Sequence, residues 1–178
     1  MISNVKKFLD NREAVGAVEF VLILPFMLVL WMGVVELIDL HLSGRKVTVA
    51  AQTAADLIAQ EKSMTSGQLD DIVAAVNAVM EPYPTSNMGF DFASVEADGN
   101  GNVSIGWRHA AGILEAGTNI PERAIPLVTQ DDSVIAVKIT YTHEPIFNLV
   151  EPIIDLVIPE ISEEAFARPR RILKIPLN

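Results

Sequence analysis

The stretch "AVEFVLILPFMLVLWMGVVELI", residues 17–38, decides how the rest of the chain is read. No charged residue falls between Phe20 and Val35, and the stretch is about the 20 residues that cross a bilayer as a helix. It is longer than the roughly 7–15 residue apolar core of a secretory signal. The "DLHLSGRK" that follows, 39–46, offers no small-x-small cleavage site. These features predict one membrane-spanning helix. Two residues look out of place in it, Glu19 near its mouth and Pro25 six residues on. Glu36 and Asp39, just past the apolar run, read as the outer membrane interface, with a charge pair to a partner's helix as the alternative.

The helical pattern continues beyond the apolar run. Val47, Ala50, Ala51, Ala54, Ala55 and Ile58 recur at three- and four-residue intervals as a narrow stripe of mostly small residues. Alanine is the best helix former, and no Gly or Pro lies between Arg45 and Gly67. The spacing predicts one helix over about 15–62, its first half in lipid and its second half outside. Lys6, Lys7 and Arg12 precede the span, and Arg45 and Lys46 follow it. This small positive-inside bias favours a cytoplasmic N-terminus and an exported distal part.

The 178-residue chain has a net charge of −10, and most of the acid lies beyond the span, which argues against nucleic acid as a partner. It has no cysteine, hence no disulfide framework and no thiol chemistry.

Thr65 with Gln68 three residues later has capping-box spacing and predicts a second helix. Its apolar face is Leu69, Ile72, Val73, Val76 and Val79 or Met80, and "EPYPTS" at 81–86 ends it. The period then changes to two. Phe90, Phe92 and Val95 before "DGNGN" (98–102), and Val103, Ile105 and Trp107 after it, predict a β-hairpin. "VIAVKITYT", 134–142, is rich in β-branched residues and predicts a strand closed by Pro145. "IFNLVEPIIDLVIP", 146–159, reads as a loop or short helix, and a last strand is expected around Glu164–Leu173. The fold class is α+β: a long N-terminal helix, a short helix and a small antiparallel sheet.

"AVGAVEFVLILPF", "MGVVELIDLHL" and "VAAQTAADLIA" together resemble the N-terminal module of TadE-like proteins, minor pseudopilins of the tight-adherence (Flp) branch of type IV pili. The resemblance covers roughly residues 12–60. "ITYTHEPIF" and "AFARPRRILKIPL" are similar to the distal part of such proteins, whereas 62–130 correspond only by position. In that family a prepilin peptidase removes a polar leader ending in glycine, and glutamate stands at the fifth mature position with an aromatic after it. Counting back from Glu19, the resemblance implies a leader over 1–14, cleavage between Ala14 and Val15, and Phe20 in the aromatic place. Ala14 departs from the family's glycine. Cleavage after Gly16 would restore that glycine but leave Glu19 at position three.

Cleavage at Ala14 would create an amine on Val15 about one helical turn from Glu19, roughly 6 Å of rise. A carboxylate near the bilayer centre costs about 2.5–3.5 kcal/mol on insertion scales. A neighbouring subunit's ammonium would offset this and set register in a packed helical bundle. Without such a neighbour, the carboxylate reaches headgroups or water. Pro25 removes the hydrogen bond to the Val21 carbonyl and crowds it. In pilin-type helices such a weak point helps a subunit leave the bilayer, although prolines are also ordinary in membrane helices.

Asp98, Asn100 and Asn102 have the odd-position spacing of a calcium loop. Val103 and His109 then stand where that loop needs Gly and Glu, so a hairpin turn is expected. His41, His109 and His143 share no ligand spacing and read as surface or interface residues. No nucleophile elbow, P-loop or zincin motif is present, and the expectation is neither an enzyme nor a cofactor-binding protein. Arg168, Arg170 and Arg171 in "RPRR" read as a solvated edge of the last strand or as a docking patch for an acidic subunit or anionic headgroups.

The resemblance thus implies a minor pseudopilin that primes assembly of a Flp-type pilus and supports adhesion. Its partners would be the membrane, the prepilin peptidase, a second minor pseudopilin, pilus subunits and the inner-membrane assembly proteins. Its distal domain, 63–178, would be periplasmic. The alternative is an uncleaved single-pass scaffold of the same machine.

Overall fold

The computed structural model describes the backbone of residues 12–147 and 160–178, and side chains from Gly16 onward within those limits. The expected leader's first eleven residues and most of 146–159 lie outside the described residues.

A single helix, α1, runs from Arg12 to Ala59. Its 48 residues make it about 70 Å long at 1.5 Å per residue. It ends at Ala59, three residues before the expected 62. The Ala59 carbonyl accepts the Arg170 N–H at 2.8 Å, while Gln60 and Glu61 donate back to Leu57 and Ile58 in a tightened last turn. A short link leads to α2, Ser66–Met80, which begins with the expected capping box. The Thr65 side chain accepts from the Gln68 N–H, and the Gln68 side chain accepts from the Thr65 N–H. At its other end Lys46 of α1 donates to the Val79 and Glu81 carbonyls, satisfying acceptors that the helix itself leaves open.

Four strands follow: β1 Met88–Ala97, β2 Val103–Gly112, β3 Ser133–Tyr141 and β4 Ile161–Ala167. They form one sheet in the order β2-β1-β3-β4, with antiparallel neighbours throughout. In the β1–β2 hairpin, Ser94 opposes Trp107 and Val95 opposes Ile105, leaving Gly106 as the extra residue of a bulge. The Trp107 ring is buried in the core and its indole N–H donates to the Ile175 carbonyl at 2.6 Å. The hairpin turn is built on Asp98, whose carboxylate accepts from the Asn100 and Asn102 N–H groups and the Asn102 amide. Those bonds hold the Asp98 carboxyl below the ordinary carboxylate range. Gly101 takes φ +84°, which an L side chain rarely adopts.

The last strand starts and ends earlier than the sequence suggested, at Ile161 and Ala167. Pro169 has no N–H to give a ladder, and the chain beyond it turns to meet the end of α1. The tail then returns beside Met64, whose N–H donates to the Pro176 carbonyl at 2.9 Å while its carbonyl accepts from Asn178 at 2.8 Å.

The core lies between the outer half of α1 and one face of the sheet, with α2 beside them. All six stripe residues, Val47, Ala50, Ala51, Ala54, Ala55 and Ile58, are fully buried against Phe90, Phe92, Ile135, Val137 and Ile139. Small side chains on α1 bring its backbone close to the sheet, and the bulk is supplied by the strands. The other sheet face is covered by the connection after β2, through Ile120, Ala124 and Val128 against Val95, Ala136 and Phe166. Arg108 pins that connection, donating to both Asp91 carboxylate oxygens and to the Asn119 carbonyl.

Ile58 is inaccessible and Val49 is half exposed on the same helix. Ile58→Ala is therefore expected to lower unfolding stability by about 2–5 kcal/mol. Val49→Ala should change it by no more than about 0.5 kcal/mol. Denaturant melts of the detergent-solubilised chain, followed by the emission of Trp107 with Trp31 replaced by Phe in every variant, measure both.

Candidate assembly site on the membrane helix

The first half of α1 makes no core. From Val18 to Leu30 its large apolar side chains are exposed all round, Phe20 by 59% and Phe26 by 77%. A helix apolar on every side needs lipid or other helices around it. By length and composition it is the one helix among the described residues able to cross a membrane. Glu19 and Phe20 lie on this surface, exposed. Among the described residues Glu19 makes no hydrogen bond or ion pair. Pro25 sits inside the helix, which continues through it. Ala14 and Val15 fall in the first turn of α1.

The polar chemistry begins where the apolar run ends. The stripe of α1, followed back from Val47 at four- and three-residue steps, passes through Ser43 and Leu40 to Glu36, and all four are buried. Glu36 is only 1% accessible. Its carboxylate contacts the His143 Nε2 at 3.1 Å and accepts the Ile146 N–H at 3.1 Å and the Phe147 N–H at 3.3 Å. The other imidazole nitrogen lies 3.4 Å from the Ser43 hydroxyl, which itself donates to the Leu40 carbonyl at 2.9 Å.

Asp39, one turn nearer solvent, accepts from the Tyr83 hydroxyl at 3.0 Å, and its second oxygen lies 3.9 Å from His143. Tyr141 packs edge-on against both Tyr83 and His143. Burial, then the Asp39 hydrogen bond and charge, raise the Tyr83 phenol above its ordinary value. Burial, followed by the charges of Glu144, Asp39 and Tyr83, pushes Tyr141 up to about 12. Both phenols therefore stay protonated at neutral pH.

Glu36 and Asp39 do stand just past the apolar run, but their partners are in the same chain. A buried carboxylate is tolerated only when paired and hydrogen-bonded, and the segment after β3 supplies what Glu36 needs. His143 is buried here and is not a surface residue. The signal was available: His143 continues the alternation of Ile139 and Tyr141, which face α1. His41 is exposed, and His109 lies 3.0 Å from Asp70.

The arginines of "RPRR" also find partners within the chain. Arg168 donates to the Leu127 carbonyl at 2.8 Å and approaches Asp132 at 3.5 Å. Arg170 donates to Asp56 of α1 at 2.8 Å. Both side chains stay more than half exposed, and Arg171 is exposed. Among the described residues no cluster of three or more His, Asp or Glu is placed to hold a metal ion.

The family model described as TadE-like protein matches residues 14–56. The chain carries a TadE-like segment. That segment coincides with α1 and includes Glu19, Phe20, Pro25, Glu36 and most of the alanine stripe. The distal sheet and α2 lie outside the match. No curated protein and no solved structure matches the chain. The match makes this segment similar to TadE-like proteins, and the one long apolar helix among the described residues is consistent with a single-pass membrane protein.

Hydrogen bonds to a charged acceptor contribute about 1.5–3 kcal/mol each, so their loss in Glu36→Ala should speed amide exchange at Ile146 and Phe147 by about ten- to a hundred-fold. Hydrogen-exchange mass spectrometry of the 142–147 region reads this directly. Amides in β1 should keep their protection.

Proposed function

We propose that the protein is a minor pseudopilin that helps initiate assembly of a Tad/Flp-type pilus and so supports surface adhesion. The observation that carries this reading is the TadE-like match over α1, on a helix whose apolar first half is exposed on all sides and bears one carboxylate at its mouth. A prepilin peptidase cuts between Ala14 and Val15, leaving Glu19 at the fifth position and Phe20 after it. The new ammonium on one subunit meets Glu19 of a neighbour, offsetting the cost of desolvating a carboxylate among packed apolar helices. That pairing fixes axial register between packed helices. Pro25, by leaving the Val21 carbonyl without its helical donor, loosens the segment that moves from membrane to filament.

The protein sits in the inner membrane with its N-terminus cytoplasmic and the domain over 63–178 periplasmic. Its partners are a second minor pseudopilin, pilus subunits and the inner-membrane assembly proteins. The outward cations Arg168, Arg170 and Arg171 form the patch offered to an acidic partner.

N-terminal sequencing of the protein from cells with and without prepilin peptidase tests the processing step. A Val15 start only in cells with the peptidase is expected. A Met1 start in both strains points instead to an uncleaved scaffold. Glu19→Ala is expected to abolish or strongly reduce piliation while leaving the amount of membrane-inserted protein unchanged. Wild-type piliation would remove the role given to that carboxylate.

A further inference from the structure

We infer that the loop 145–147, Pro-Ile-Phe, is a second membrane contact that sets into the acyl–headgroup boundary of the outer leaflet beside α1. This rests on the reading of α1 as a membrane helix. Three observations carry it. First, the Phe147 ring packs against Trp31 with centroids 6.3 Å apart. Trp31 belongs to the charge-free run, five residues before Glu36, so this contact lies about 7 Å down the helix axis from the Glu36 level, toward the lipid.

Second, the backbone donors of the loop are all accounted for. Pro145 has none, and the Ile146 and Phe147 N–H groups both go to the Glu36 carboxylate. Irregular backbone tolerates membrane depth only when its polar groups are satisfied by protein. A loop in water would need no such acceptor, because water itself would serve. Third, the Ile146 side chain is apolar yet 54% exposed, as are the side chains of Val34, Leu37 and Ile38, which flank Glu36 in the sequence of α1. Ile146 thus adds an exposed apolar side chain at the level where the apolar run of α1 ends. Glu144, the residue before Pro145, is exposed and engages Asn87 on the domain side, which marks where the loop leaves water.

The contact would prevent the domain from rotating or tilting away from the bilayer. A helix alone allows rotation about its own axis; a helix with a seated loop does not. Glu36 holds the loop's backbone and Phe147 is its anchor.

The absence of cysteine makes single labels possible in the full chain. Ile146→Cys, Leu28→Cys and Val49→Cys, each carrying the fluorophore NBD, are reconstituted separately into phosphatidylcholine vesicles. The quenchers are lipids with a nitroxide either near the headgroup or deep on the acyl chain. The label at 146 is expected to lose most of its emission to the shallow nitroxide. The label at 28 should lose its emission to the deep one, and the label at 49 should lose little to either. Quenching at 28 without quenching at 146 overturns the inference while the membrane helix stands. Absence of quenching at both sites overturns the two together. A label at 146 that is blue-shifted yet unquenched shows that protein, such as a second copy, covers the loop, and this also overturns it. Equal quenching at 49 and 146 does the same, since the whole domain would then lie on lipid without a specific contact.

Discussion

The arrangement depends on one carboxylate being satisfied where the apolar half of α1 ends. Glu36 is inaccessible and ends an apolar run, a position in which an unpaired charge would cost several kcal/mol. The imidazole of His143 and the amides of Ile146 and Phe147 meet it, all from the segment after β3. Because those groups belong to the sheet domain, satisfying Glu36 also joins that domain to the end of the apolar half of α1. Ser43 on the far side of the imidazole, and Asp39 with Tyr83, extend the junction into α2 and back along α1.

This explains how one helix has two different surfaces. Below Glu36, α1 exposes large apolar side chains in every direction, as a helix surrounded by lipid or by other helices must. Above it, α1 narrows to an alanine-rich stripe that seats the sheet closely, while charged residues face outward. The two halves share a continuous backbone, so any force on the lower half is delivered to the domain without a hinge at the junction. Pro25 lies well below the junction, inside the continuous helix.

Much of the fold was legible because its signals are local. The alanine stripe, the Thr65–Gln68 box and the "DGNGN" turn each state their structure within a few residues, and the chain obeys them. The end of β4 was less so: Pro169 marks it, but the return of the tail to Ala59 depends on contacts far apart in sequence. Glu36 and His143 were legible as positions and not as a pair. Their separation of over a hundred residues leaves no spacing to read, and a carboxylate at the end of an apolar run has an adequate explanation in the interface alone. Following each element's period one step further, from Val47 back to Glu36 and from Tyr141 on to His143, places both on the same buried face.

The most direct test of the junction is a double-mutant cycle between Glu36 and His143, using Glu36→Gln, His143→Phe and the double variant, with unfolding free energies measured on the detergent-solubilised chain. If the two side chains hold the domain to the helix together, their effects are non-additive, with a coupling of about 1–3 kcal/mol. Additivity within about 0.5 kcal/mol would mean that each acts alone and that the junction is not what joins the two parts.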